Sequence, residues 1–303
     1  MRQPDEGLKS EVLRAALGAA IAGDSRKLED LLCRHGGGAD QRPNLRLAAA
    51  LGAEMAALPV PPVRLLAKFA SDDAAPDDPR VFLPIAAAHA WVAHLRANPH
   101  DPVAWAALAE LAADERPPVR VGTLDALSSF ALRPGGALTL VAGALDWLSV
   151  EDREKRFLAA ALAIEALGKR QVITALASEP SLLDYLSRAI GEAVDARRSA
   201  ERQDGRRRLL MSLPPTLASV VATLSSDDWG PAWFEQICAS AEHPDVRKAL
   251  SDTILRLRKT SLGHGSVIAQ RLRRVLEGSA KPLRDPSRLR PGTGRGKSSR
   301  PMR

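Results

Sequence analysis

The sequence predicts an all-α protein, and three observations lead to that class. Apolar residues recur every three to four positions over long segments, which is the period of a helix with one buried face. Alanine is abundant and aromatic residues make up only 4% of the chain, which favours packed helices because small side chains let helix axes approach closely. No run alternates apolar and polar residues with the period of two that a half-buried strand shows.

The clearest helical periods lie in the second half of the chain, in segments 152–167, 179–194, 244–258 and 265–277. Pro180 and Pro244 fall in first turns, where a missing N–H costs nothing. The residues expected on the buried faces are, in the same order of segments, Phe157, Ala161, Ile164 and Leu167; Leu182, Leu186, Ile190 and Ala193; Val246, Leu250, Ile254 and Leu257; and Ile268, Leu272 and Val275.

Turn-forming stretches divide the chain into about fourteen predicted helices. Examples are SDDAAPDDP (71–79), RPGG (133–136) and SSDDWGP (225–231). The predicted helix 152–167 is followed by Gly168, which is suited to cap the end of a helix. Short helices with short connections favour antiparallel hairpins, which either stack in an array or fold into a bundle.

Three segments look alike: PPVRLLAKF from Pro61, PPVRVGTLDAL from Pro117 and HPDVRKALSDTIL from His243. Each places proline before a Val-Arg pair and an amphipathic helix. This pattern resembles the opening of the second helix in HEAT repeats. The resemblance implies an α-solenoid of stacked antiparallel helical hairpins over residues 1–277.

The resemblance also implies an arginine ladder formed by Arg64, Arg120 and Arg247. In such repeats the arginine commonly meets the acidic residue of the turn, so Asp114 or Glu115 is expected to serve Arg120, and Asp245 to serve Arg247.

The spacing of the look-alike segments agrees with HEAT units in one interval. Val119 and Val246 are 127 residues apart, close to three units of about 40–47 residues. Val63 and Val119 are only 56 residues apart, and the acidic loop 71–79 is the candidate insertion. A local alternative is NPHDPVAWAALAEL (98–111), which resembles the opening of a tetratricopeptide repeat without continuing at that spacing.

Charge is unevenly distributed along the chain. Residues 1–196 contain 21 basic and 26 acidic residues, whereas residues 197–303 contain 22 basic and 10 acidic residues. Residues 278–303 are rich in proline, glycine and arginine and carry no apolar stripe, which predicts a disordered basic tail. The basic region has two interpretations: a solvated helix face with a tail that aids solubility, or contact with a phosphate backbone or an acidic protein, with little sequence specificity for nucleic acid. The candidate polyanion-binding residues are Arg197, Arg198, Arg202, Arg206, Arg207, Arg208, Arg271, Arg274, Arg288, Arg290, Arg295 and Lys297.

The motifs that would indicate an enzyme fail on inspection. GTGRGKS (292–298) has Pro291 where a Walker A loop needs glycine, and neither a strand nor a helix flanks it. Cys33 and Cys238 fit no metal spacing. His89 and His94 are five residues apart and lie on different helix faces. The sequence therefore indicates no catalytic residue, cofactor, metal or small-molecule substrate.

One constellation resembles the HEAT-like alkylpurine DNA glycosylases, in which tryptophan, aspartate and arginine on a concave basic surface contact the lesion. Trp147 is followed by Glu151, with Arg153 and Arg156 nearby. The carboxylate is a glutamate instead of the family's aspartate, and a core role suffices for Trp147 and for the pair Trp229 and Trp233.

Two functions follow from these patterns. The leading hypothesis is a non-enzymatic helical-repeat scaffold that binds a protein partner on its solenoid surface. The alternative is a nucleic-acid-binding HEAT-like protein related to the glycosylases. The N-terminus has no signal-peptide pattern and the longest apolar stretch, FLPIAAAHAWVAHL, is shorter than the ~20 residues of a membrane span. We therefore expect a cytoplasmic protein without membrane contact.

Overall fold

The computed structural model describes residues 10–37, 42–196, 203–224, 228–260 and 264–279. These ranges contain fifteen α-helices, one short 3-10 helix and no strand, so the all-α prediction is confirmed. The helices are α1 (Ser10–Ile21), α2 (Arg26–His35), α3 (Leu45–Ala56), α4 (Val63–Ala70), α5 (Phe82–Leu95), α6 (Pro102–Ala112), α7 (Pro117–Ala131), α8 (Gly136–Trp147), α9 (Arg153–Leu167), α10 (Arg170–Ala175), α11 (Ser181–Val194), α12 (Asp204–Thr223), α13 (Trp229–Ser240), α14 (Pro244–Thr260) and α15 (His264–Gly278), with the 3-10 helix at Pro79–Val81.

Six helices form a row in which each contacts the next: α3, α5, α7, α9, α12 and α14. Glycines allow the closest approaches in this row. A Cβ atom added to Gly52 of α3 would lie 2.7 Å from the carbonyl oxygen of His89 in α5. A Cβ atom added to Gly122 of α7 would lie 2.4 Å from Ile85 Cγ2. Gly52 thus lets α3 pack against the backbone of α5, and Gly122 lets α7 pack against a side chain of α5, in both cases without a clash.

The other helices pack onto this row. Helices α4 and α6 contact α5, α8 contacts α7 and α9, α13 contacts α12, and α15 contacts α13 and α14. Helix α5 is enclosed by α2, α3, α4, α6 and α7, and every one of its residues except His94 is buried. The apolar stretch 82–95 is therefore a core helix, as a helix apolar on all sides should be. Within the described ranges, no helix combines the length and apolarity needed to cross a bilayer.

The predicted buried faces are largely confirmed. The four residues expected on each of the faces of α9, α11 and α14 are all buried. In α15, Leu272 is buried, whereas Ile268 and Val275 are half-buried. Helix α9 ends at Gly168, whose N–H donates to the Ile164 carbonyl at 2.9 Å. Between Phe157 and Leu167, however, α9 is buried on all sides except at Glu165, because α6, α7, α8 and α12 surround it.

Arginines near the starts of four row helices bind backbone carbonyls that precede their helix, three in the connection itself and one in the last turn of α11. In α7, α9 and α14 the acceptor lies six residues earlier: Arg120 donates to Asp114 O at 2.8 Å, Arg156 to Val150 O at 2.8 Å, and Arg247 to Ala241 O at 2.9 Å. In α12, Arg206 Nε donates to Ala193 O at 3.0 Å. These bonds satisfy carbonyls that the turn geometry leaves without helical partners.

The expected acidic partners of these arginines need correction. Arg120 binds the carbonyl oxygens of Asp114 and Glu115, because the Asp114 carboxylate holds Arg116. Asp245 pairs with Arg206 of the neighbouring helix instead of Arg247.

Arg64 occupies a different setting from Arg120 and Arg247. It is exposed at the start of α4, and α4 contacts α5 and α6 instead of serving as a member of the row. The three Pro-Val-Arg segments are therefore similar in sequence but not in packing: α7 and α14 belong to the row, whereas α4 packs onto it.

The acidic loop 71–79 is tied to the start of α7. Arg116 Nη1 donates to the carbonyls of Asp72 at 2.7 Å and Ala74 at 2.9 Å. The Asp72 carboxylate in turn accepts from Arg80 Nε at 3.1 Å. The loop thus shares its hydrogen bonds with a row helix, although its origin as an insertion stays a prediction.

The helical part of the chain extends slightly beyond residue 277. Gly278 ends α15, and the Ser279 hydroxyl donates to Cys238 O at 2.9 Å and accepts from Arg247 Nη1 at 3.0 Å. The rest of the predicted tail, 280–303, lies outside the described residues.

The same Leu→Ala substitution at a buried and at an exposed position of α14 should show how much core packing contributes to stability, because the change in helix propensity is the same at both. Leu250 is 1% exposed and Leu255 is 49% exposed on the same helix. We expect Leu250→Ala to lower the free energy of unfolding by about 2–5 kcal/mol, because it removes buried methyl groups and leaves a cavity. Leu255→Ala is the matched control and should change it by less than about 0.5 kcal/mol. Chemical denaturation measures both, and equal effects would show that the wrong face is assigned to the core.

Candidate binding face on helices α7, α9, α12 and α14

Two depressions flank helix α12 on the part of the row that other helices leave uncovered. We call the first the α12–α14 groove; its volume is about 670 Å³. We call the second the α9–α12 cavity; its volume is about 260 Å³. The groove is lined by Arg206, Arg207, Leu210, Met211, Pro214, Asp245, Lys248, Ala249, Asp252, Leu255, Arg256 and Lys259. The cavity is lined by Pro117, Arg120, Val121, Leu124, Leu158, Ala161, Leu162, Glu165 and Arg208.

The groove combines positive charge with exposed apolar side chains. Five of its lining residues are basic and two are acidic. Met211 is 69% exposed and Leu255 is 49% exposed, among the largest apolar exposures in the described residues. Helix α12 is buried against α9 and α14 along most of its length, so Met211 lies on a narrow accessible stripe between two packed faces.

An ion pair between buried Arg206 and exposed Asp245 holds the two walls of the groove together. Arg206 is 1% exposed, and its Nη1 donates to Asp245 Oδ2 at 2.9 Å. The hydrogen bond from Arg206 lowers the pKa of the Asp245 carboxyl, and the nearby charges of Arg206, His243 and Lys248 act in the same direction against partial burial. Arg206 therefore fixes α12 against α14 and has little surface left for an external partner.

The predicted polyanion-binding arginines do not form one cluster. Arg207 and Arg208 are exposed on opposite sides of the α12 ridge and line the groove and the cavity respectively. Arg271 pairs with Glu235 and Asp228 between α13 and α15, and Arg274 is exposed on α15 outside both depressions. Arg197, Arg198, Arg202, Arg288, Arg290, Arg295 and Lys297 lie outside the described residues.

Sequence reasoning missed three basic residues of the groove: Lys248, Arg256 and Lys259. They occupy the polar side of the 244–258 pattern, where a solvated helix face was the natural interpretation. Their spacing of eight and then three residues places them along one side of α14. That spacing could have predicted a basic side of α14. It could not predict a groove, because the groove forms only where α12 packs beside α14.

The cavity holds three charged groups among apolar walls. Arg120 is 8% exposed, and burial lowers the pKa of its guanidinium, as does the neighbouring Arg208. Removal from water raises the pKa of Glu165, although Arg208, Arg120 and Lys169 oppose that shift. Within the described residues, no ion pair under 4.0 Å joins Glu165 to either arginine. The three charged side chains therefore line the same cavity without pairing with one another.

The tryptophan comparison with DNA glycosylases gains no geometric support. Trp147 is 2% exposed, and its Nε1 donates to Trp105 O at 3.1 Å. The two indole rings meet edge to face at 5.9 Å. Trp147 is thus a core residue and cannot stack on a base.

Other candidate reactive groups also serve packing. His94 Nε2 bonds to Asp101 Oδ2 at 2.7 Å in the α5–α6 turn. Burial raises the pKa of the Cys33 thiol and raises that of Cys238 to about 12, which is the opposite of an activated thiolate. In the described part of the chain, no group of three or more His, Cys, Asp or Glu side chains is arranged to hold a metal.

Comparisons with protein-family models, curated proteins and solved structures give no match to this chain. The candidate site therefore rests on its own geometry: a basic, partly apolar groove and an adjacent charged cavity on one accessible stretch of the helix row.

The Arg206–Asp245 pair predicts an acid-dependent contribution to stability. The pKa of Asp245 is lower in the folded chain than in the unfolded one, so the carboxylate stabilises the fold above its unfolded pKa, and this contribution disappears as pH falls through the folded value. We expect Asp245→Asn to lower the melting temperature at neutral pH. The difference from the natural chain should shrink below about pH 4, where unfolded aspartates take up protons.

Asp252→Asn is the matched control for that measurement. Asp252 is exposed one to two turns further along the same groove, without a hydrogen bond or ion pair to another described residue. It should leave the melting temperature nearly unchanged at both pH values. A deficit in Asp245→Asn that is equally large in acid would contradict the assigned role of the carboxylate.

Proposed function

We propose that this chain is a non-enzymatic helical-repeat scaffold of the HEAT type, and that its α12–α14 groove binds an acidic, partly apolar segment of a partner protein. The observation that carries this proposal is the combination of Lys248, Arg256 and Lys259 with exposed Met211 and Leu255 in one groove. Aliphatic and basic side chains together favour an amphipathic acidic helix or strand.

Two features support the solenoid architecture. The helices of the row contact one another in chain order, which is the packing that stacked repeats produce. Three members of that row, α7, α9 and α14, also use an N-terminal arginine to bind the carbonyl six residues earlier, in the preceding connection. A repeated connection geometry is what repeated units would share.

The composition of the groove favours protein over nucleic acid. Asp245 and Asp252 lie among the basic residues, and each would repel a phosphate backbone, whose binding depends on neutralisation by cations.

Nucleic-acid binding without sequence preference usually adds aromatic side chains on which bases stack. Three of the tryptophans, Trp91, Trp105 and Trp147, are buried. The other two, Trp229 and Trp233, are half-buried against the core. The described residues thus present basic charge without a stacking platform, so nucleic acid stays the alternative and becomes an outcome of the test.

The groove assignment predicts that charge and apolar surface contribute separately. The probe is a synthetic amphipathic peptide of glutamate and leucine, compared with a peptide that has serine at the leucine positions. We expect the leucine-containing peptide to bind more tightly. Lys248→Gln with Lys259→Gln should weaken its binding about fivefold and reduce the salt dependence, since exposed charge pairs contribute modestly. Fluorescence anisotropy at two salt concentrations measures both effects.

Two further variants locate the effect. Leu255→Ser should weaken binding without changing the salt dependence, because it removes only apolar contact. Lys27→Gln with Arg274→Gln removes two positive charges outside the groove and should leave binding of the leucine-containing peptide unchanged. Equal affinities for the groove variant and this control would contradict the proposal. Loss of binding to a DNA duplex in the groove variant, with no peptide binding by any chain, would replace it with the nucleic-acid alternative.

A further inference from the structure

The α9–α12 cavity has properties of a ligand site that the α12–α14 groove lacks. Its volume is about 260 Å³, below the ~300–1,000 Å³ of typical drug-sized sites, so it fits a group about the size of one amino-acid residue. Its apolar wall consists of Leu124, Leu158, Ala161 and Leu162, with Val121 and Pro117 beside them. The charged residues of the lining are Arg120, Glu165 and Arg208.

Arg120 is the buried charge of this cavity. It is 8% exposed, and its Nη1 is used by the carbonyls of Asp114 at 2.8 Å and Glu115 at 2.6 Å. Its Nε and Nη2 form no hydrogen bond within the described residues. Neither nitrogen is among the fully buried side-chain atoms of the described residues that lack a partner, so both stay accessible and can donate to an anionic ligand in the cavity.

Arg208 supplies a second guanidinium from the opposite wall. It is exposed on α12, lines the cavity, and forms no hydrogen bond or ion pair under 4.0 Å with a described residue. It lies close enough to Arg120 for the two charges to affect each other. The two guanidiniums lie near each other, and neither forms an ion pair under 4.0 Å with a described carboxylate, an arrangement that favours binding of an anion.

We propose that the α9–α12 cavity binds a carboxylate that carries a branched apolar group, with the carboxylate on Arg120 and Arg208 and the apolar group against Leu124, Leu158 and Leu162. A guanidinium matches the planar carboxylate through paired hydrogen bonds. The leucine wall matches the apolar group. This site is separate from the groove and does not rest on the proposed function.

Glu165 tunes this site. It is the one exposed residue of α9 between Phe157 and Leu167, and it faces the same space as the two arginines. When ionised it competes with the ligand for their charge. When protonated it donates a hydrogen bond instead. The raised pKa of Glu165 brings protonation closer to neutral pH, and ligand binding raises it further because the ligand is also an anion.

The charged groups that face Glu165 set the direction of the pH effect. They are Arg120 from α7, Arg208 from α12 and Lys169 after α9, while Asp114 and Glu115 act on Arg120. A ligand carboxylate favours the protonated form of Glu165, so affinity should rise over the interval in which falling pH protonates Glu165, and it should fall again once the ligand itself protonates near about pH 4. Glu165→Gln should bind more tightly at neutral pH and show no rise over the first interval.

Two sources supply this chemistry: the C-terminus of a partner chain ending in leucine, and a free branched carboxylic acid. The probes are 4-methylpentanoate, its amide, and an N-acetylated Ala-Ala-Leu peptide with a free or an amidated C-terminus. Methyl NMR of the full-length chain should show shifts at Leu124, Leu158 and Leu162 with each acid and none with either amide. Tighter binding of the peptide than of 4-methylpentanoate assigns the site to a chain terminus, and the reverse assigns it to a free acid.

Variants on the two sides of the α12 ridge complete the test. Arg208→Gln should weaken binding of the acids about tenfold, as expected for a charged hydrogen-bonding partner. Arg207→Gln, its neighbour in the groove, should leave that binding unchanged. Shifts that are equal for acids and amides, no shift with any probe, or an unaltered affinity in Arg208→Gln would each overturn the proposal.

Discussion

The packing of the helix row depends on arginines whose donors are used by the backbone. Arg120, Arg156 and Arg247 each bind a carbonyl of the connection that precedes their helix, and Arg206 binds a carbonyl in the last turn of α11. A buried carbonyl without a donor costs as much free energy as a lost hydrogen bond, and a buried guanidinium without acceptors costs more. In these hydrogen bonds the arginine gives the carbonyl its donor, and the carbonyl gives the guanidinium an acceptor. The connections are thereby fixed relative to α7, α9, α12 and α14, and the spacing of these helices follows.

The binding face follows from that spacing. Arg206 ties α12 to both the end of α11 and the start of α14, which leaves a groove between the two helices. Arg120 is held at the start of α7 with two nitrogens unused, which leaves donors in the cavity beside α9. The three consecutive arginines of α12 therefore have different roles. Arg206 is buried and holds helices together, whereas Arg207 and Arg208 are exposed. Of the three, only the exposed pair is available to an external partner.

The sequence allowed correct prediction of properties that depend on local pattern. The buried face of α14 follows from Val246 to Leu257 at helical spacing, because one side of an amphipathic helix meets the core wherever the helix packs. The enclosure of α9 and α5 was not predictable in the same way, since it depends on how many neighbours surround them. The pairing of Asp245 with Arg206 instead of Arg247 likewise depends on two helices being adjacent. The groove and the cavity needed that tertiary information, because each is formed by residues from helices distant in the chain.

Lysine footprinting can show whether an acidic partner covers the α12–α14 groove, as we propose. The full-length chain would be acetylated briefly with and without the glutamate–leucine peptide, and each lysine quantified by mass spectrometry. Lys248 and Lys259 line the groove, whereas Lys27 and Lys155 lie on α2 and α9 outside it. We expect the peptide to slow modification of Lys248 and Lys259 and to leave Lys27 and Lys155 unaffected. Unchanged modification of Lys248 and Lys259 at a peptide concentration that saturates binding would contradict the claim.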